Sequence, residues 1–162
     1  NPDDYVTITS YSHHPYYKYY VLDDKYNWAS GLYFNVPPER YLQIVDSTLL
    51  KGYSLVYDGD ATEDGFLESK GTATIDFPDN SNLIELRQQM YNDHRTTVDH
   101  VMHVVGKLKK YTGEEFYLVK NSWGEIGKYD GYILMSSDFF FLKAVALMLH
   151  KKALPEDIRK RL

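Results

Sequence analysis

From residue 100 onward the chain repeats one pattern, a short run rich in β-branched and aromatic residues followed by a turn. The runs cover 101–109, 115–120, 131–136 and 145–150, and the Thr112-Gly113 turn joins the first two at hairpin spacing. Side chains of a strand alternate between its two faces, so each run can bury one face and leave the other open. Four such runs in succession pair most simply into an antiparallel sheet. Helix is confined to a few places. Pro37, Pro38 and Glu39 open a run in which Tyr41, Leu42, Ile44, Val45 and Leu49 share a face, and Gly52 stands where a helix ends in a left-handed residue. Ser81 or Asn82 caps a second helix to about Asn92, with Leu83, Leu86 and Met90 along one side. A helical turn is expected over 137–143 and a short helix after Pro155. Residues 1–36, broken by Pro and Gly, predict extended segments at 5–9 and 17–22, and residues 53–59 read as a buried strand. The expected fold class is α+β, an antiparallel sheet with flanking helices.

Composition narrows the function classes. A chain of 162 residues is one domain or a large part of one. Its net charge of −5, with signs interspersed, offers no basic stripe for a phosphate backbone, so no nucleic acid is expected. No apolar run approaches the length that spans a bilayer, so no membrane is expected either. The chain has 16 Tyr and no Cys, so it forms no disulfide. The acidic loop "DGDATEDGF", with Asp58, Asp60, Glu63 and Asp64, lacks the ligand spacing of a helix-loop-helix calcium site. Lys107, Lys109 and Lys110 are expected at a solvated hairpin tip.

Candidate chemistry lies with histidine. His13 and His14 sit beside Pro15 and are expected to be structural, while His94 and His150 read as exposed or capping residues. His100 and His103 flank Val101-Met102 at the entrance to a strand, and alternation sends His100 and Met102 to one face, Val101 and His103 to the other. If Asn121 lies on a neighbouring strand, its amide oxygen can accept from the His100 ring and set its tautomer, with Trp123 covering the bond.

The segment "DHVM", followed by "YLVKNSWGEIGKYDGYILMS", resembles the His and Asn segments of papain-like cysteine peptidases. "YVTITSYSHHPYY", "LKGYSLVYDGDATEDGF" and "HKKALP" are similar to the C-terminal half of the bleomycin hydrolase and aminopeptidase C branch, so the resemblance spans nearly the whole chain. It implies the β-rich half of a papain-like fold, with His100 as general base or imidazolium partner, Asn121 as its orienter and Trp123 as a shield. It implies peptide substrates, removal of N-terminal residues, a cytoplasmic enzyme, ring-shaped hexamers, and no metal or organic cofactor. The family's nucleophile is a Cys in the preceding helical half. Because this chain has none, residues 1–162 are expected to be the C-terminal portion of a peptidase whose Cys-bearing half lies outside them. The alternative is a catalytically inactive peptide-binding or assembly module of the same fold. Val101, where the family carries Ala or Gly, is expected to pack rather than to narrow a subsite.

Overall fold

The computed structural model describes residues 1–162 and contains ten strands and four α-helices. In chain order these are β1 (Tyr5–Thr9), β2 (Tyr19–Val21), β3 (Leu32–Asn35), α1 (Pro38–Leu50), β4 (Leu55–Gly59), β5 (Phe66–Leu67), β6 (Thr72–Ala73), α2 (Leu83–Asn92), β7 (His100–Lys109), β8 (Glu115–Lys120), β9 (Tyr132–Ser136), α3 (Ser137–Lys143), β10 (Ala144–His150) and α4 (Glu156–Arg159). All strands join one sheet in the order β2-β3-β1-β10-β4-β7-β8-β9-β6-β5. The central pairings are antiparallel, as alternation predicts. Two pairings, β1 with β3 and β6 with β9, are parallel, so the sheet is mixed.

The parallel pairing near the N-terminus has a local cause. Asn35, fully buried at the end of β3, accepts from the Tyr11 amide (3.0 Å) and donates to the Tyr11 carbonyl (2.8 Å). Its side chain continues the ladder where the backbones diverge, a role that periodicity does not reveal. Helix boundaries follow from chemistry the sequence does display. Asn82 caps α2 by accepting from the Ile84 and Glu85 amides, and Gly52 follows α1 at φ +78°.

One face of the sheet carries the core. Tyr41, Ile44 and Val45 of α1 and Phe139, Phe140 and Leu142 of α3 pack with Tyr57, Met102, Val104 and Tyr117, all fully or almost fully buried. Each such side chain contributes roughly 1.5–3 kcal/mol on leaving water. Along β7 burial alternates: His100, Met102 and Val104 are inside, while Val101, His103 and Val105 face out. A register shift between Val104 and Gly106 then interrupts the ladder. Beyond it Lys107 is not a solvated tip residue as expected, because its ammonium lies 2.7 Å from Asp46 and 2.8 Å from Glu115. Lys109 and Lys110 are exposed. No helix is long and apolar enough to cross a membrane.

Candidate active site

His100 is the first residue of β7, paired with Gly59 of β4, and Asn121 directly follows β8 on the other side. His100 Nε2 lies 2.7 Å from Asn121 Oδ1, both residues being buried. The neighbours of Asn121 decide which way its amide points. Its Nδ2 donates toward Glu68 Oε1 at 3.4 Å, and its Oδ1 also faces the Trp123 amide at 3.4 Å. A carboxylate only accepts and a backbone N–H only donates, so the amide oxygen is turned to the ring and Nε2 must carry the proton. Nδ1 is thereby left as the free basic nitrogen, and it makes no hydrogen bond within the chain. The Trp123 ring tilts over the imidazole, centroids 4.3 Å apart at 46°, with about half of its surface open to solvent. The structure thus brings together His100, Asn121 and Trp123, the three residues singled out from the sequence.

Glycine explains the shape of the loop that presents Asn121. The Asn121 amide donates to the Gly131 carbonyl at 2.8 Å, folding residues 121–131 back on themselves. At Gly131 (φ +82°) a Cβ would collide with the Gly124 carbonyl, and at Gly127 (φ +72°) with that of Glu68. The two glycines therefore allow a close-packed loop to rest on the Glu68 turn, which in turn supplies the carboxylate facing Asn121. Sequence reasoning assigned Glu68 no part; it lies 53 residues from Asn121 and no motif joins them.

A second device holds the His side. Lys143, at the end of α3, is fully buried and its ammonium meets Asp60 Oδ2 (3.2 Å), Glu63 and the Arg95 carbonyl (2.6 Å). Asp60 is itself buried and takes hydrogen bonds from Thr62 N (2.8 Å), Thr62 Oγ1 (2.7 Å) and, more weakly, Thr97 N (3.4 Å). The acidic loop is therefore a socket for a lysine, tied to the strand entrance at residues 95–100. Gly59 completes it, because a Cβ there would strike the Lys143 carbonyl and the Tyr57 ring. The remaining histidines lie elsewhere. His14 stacks on Tyr20 (4.0 Å), His13 meets Gln88 (3.1 Å), His94 turns the chain after α2 at φ +56°, and His150 caps a short 3-10 turn.

Beside His100 a cavity of about 340 Å³ is lined by Leu22, Tyr33, Asp58, Asp99 and Val101, among others. Val101 is expected to pack; instead it is half exposed and borders this cavity, since it lies on the strand face opposite the buried Met102. Burial, reinforced by Asp24 and Asp99, pushes the Asp58 carboxyl up to about 6. The folded chain therefore holds a proton that the unfolded chain has released above about pH 4, and stability drawn from this group falls as pH rises from about 4 to about 6. Asp58→Asn is expected to raise Tm at pH 7.5 and to change it little at pH 4. Equal gains at both pH values in thermal melts would contradict this.

Comparison with known proteins agrees with this architecture. The chain is 28% identical over 163 residues to aminopeptidase G of Lactobacillus delbrueckii subsp. lactis, covering 96% of this chain and 37% of the relative. It is 27% identical over 158 residues to the bleomycin hydrolase of Gallus gallus, covering 89% of this chain and 34% of the relative. It therefore spans little more than a third of the curated relatives it matches. The crystal structure of PepW from Lactobacillus rhamnosis HN001 superposes with a TM-score of 0.76 at 20% identity, over 99% of this chain and 38% of that one. The fold is papain-like, with a large mixed sheet and packed helices. The sequence model of the peptidase C1-like family matches residues 1–162 from end to end, and the chain belongs to that family.

Proposed function

We propose that this chain is the His- and Asn-bearing part of a thiol-dependent peptidase that removes N-terminal residues from peptides, with a cysteine supplied from outside these 162 residues. The observation that carries the reading is the 2.7 Å contact from His100 Nε2 to an amide whose oxygen is held toward the ring. With Nε2 protonated, Nδ1 can take the thiol proton, and the resulting imidazolium keeps its Nε2–H on Asn121. The thiolate attacks the scissile carbonyl, Nδ1–H protonates the departing amine, and the same nitrogen then draws a proton from the water that frees the acyl group. Trp123 and the burial of Asn121 keep competing water from the ring–amide bond, which strengthens it. The exopeptidase character comes from the relatives named aminopeptidase G, W and E. Hydrolysis of an aminoacyl fluorogenic substrate by the gene product that contains this chain, before and after iodoacetamide, tests the proposal. Activity abolished by alkylation is expected. Activity that survives alkylation overturns the thiol mechanism, and no activity with an intact fold favours the peptide-binding alternative.

A further inference from the structure

Glu68 lies outside both chain segments that carry the His100 site, yet the fold pins it there. It opens a short 3-10 helix, Glu68–Lys70, which Gly71 ends at φ +66° with its amide on the Glu68 carbonyl (2.9 Å). Close contacts hold this turn against the chain from Asn121 to Leu134. Lys128 N donates to the Ser69 carbonyl at 3.2 Å and Leu134 N to the Gly71 carbonyl at 2.9 Å, while Gly127 sits so near the Glu68 carbonyl that a Cβ would not fit. The half-buried Glu68 carboxylate forms no ion pair, and Asn121 Nδ2, at 3.4 Å, is its one hydrogen-bond donor within the chain.

A carboxamide keeps nearly the same shape when its two ends are exchanged, so packing alone does not choose between them. Hydrogen bonding does. With the Asn121 amide reversed, its NH2 would face the His100 ring and the Trp123 amide, and its oxygen would meet the Glu68 carboxylate, acceptor against acceptor. The ring would then accept at Nε2 and carry its proton on Nδ1, the nitrogen that the mechanism needs free for the thiol proton. Asn121 therefore requires an acceptor on its far side, and Glu68 is the side chain that supplies one. We propose that Glu68 is a positioning residue of the peptidase reaction: it fixes the Asn121 amide and, through that amide, the tautomer of His100. The effect on catalysis rests on the thiol-peptidase reading, whereas the control of the amide does not.

Variants of the gene product that contains this chain test both parts. Glu68→Ala is expected to lower kcat about 3–10-fold, the worth of one ordinary hydrogen bond, with KM little changed. Glu68→Gln keeps an acceptor oxygen at the same reach and should stay within about twofold of wild type. Glu68→Lys presents only donors; it should reverse the amide and cost about 10–100-fold, as Asn121→Ala does. Added to Asn121→Ala, Glu68→Ala should cause no further loss, because its effect passes through the amide. A merely structural Glu68 would instead lower Tm and cost the same factor in both backgrounds. Nitrogen NMR shifts of the His100 ring, recorded with the ring neutral, read the tautomer without turnover: Nε2–H in wild type and Glu68→Gln, Nδ1–H in Glu68→Lys. A wild-type product that shows this switch but hydrolyses nothing would overturn the peptidase reading and support the positioning role. Nε2–H retained in Glu68→Lys, wild-type rates in Glu68→Ala and Glu68→Lys, or equal losses in Glu68→Gln and Glu68→Ala would each overturn the proposal.

Discussion

His100→Ala is expected to lower peptide hydrolysis by the thiol-bearing gene product at least about 10³-fold in kcat, with KM little changed. General acid–base participation by one positioned side chain is worth about 10²–10⁴-fold, and in the proposed mechanism the same ring also generates the nucleophile, so both steps would fail together. Asn121→Ala leaves the imidazole in place and removes only its orienting acceptor. Losing one hydrogen bond to a charged partner corresponds to about 10–100-fold, which places this variant between wild type and His100→Ala. The order of the two variants tells a catalytic pair from a structural one. If the pair served only to stabilise the strand ends, both substitutions would lower Tm together and leave kcat per folded molecule unchanged. Rates for His100→Ala equal to wild type would remove this residue from the mechanism.

Lys143→Met is expected to be the most destabilising single substitution outside the apolar core. Removing one partner of a buried ion pair typically costs about 3–5 kcal/mol, because the remaining charge stays buried without compensation. Here the stranded groups are Asp60, 2% exposed, and the Arg95 carbonyl. For a chain of this length the loss lowers Tm by about 10 °C. Adding Asp60→Leu to Lys143→Met should recover much of it, since a neutral, apolar replacement leaves no orphaned charge. A Tm change under about 2 °C for Lys143→Met alone would show that the socket is hydrated and its contacts weak. The socket also adjoins the candidate site: Asp60 N donates to the Lys143 carbonyl at 3.1 Å, and the next pairing along β4 is Gly59 with His100. Any residual activity of Lys143→Met is therefore expected to fall along with its stability.

Much of the site was legible because its parts lie in two short segments. Alternation alone separated His100 from His103, and the Asn-Ser-Trp-Gly run marked where a polar amide meets a strand end. The devices that hold these parts were not legible. Glu68 and Lys143 come from segments with no sequence relation to the residues they contact, and each reads in sequence as an ordinary exposed charge. An acidic loop that invites a metal reading turned out to face a lysine 83 residues away. Lys107, by the same token, left the solvated hairpin tip for Asp46, 61 residues earlier in the chain.

By itself, the sequence determined the local rules of this protein: which runs alternate and bury one face, where Ser81 or Asn82 begins a helix and Gly52 ends one, and that His100 and His103 face opposite ways. Periodicity, capping and turn chemistry act between residues a few positions apart, so they can be read in order along the chain. Only the tertiary structure decided the two parallel pairings, the exposure of Val101 and the partners of each buried charge. Those depend on which distant segments share a low-dielectric space, where an ionised group must find a specific partner and the chain order says nothing about which one arrives.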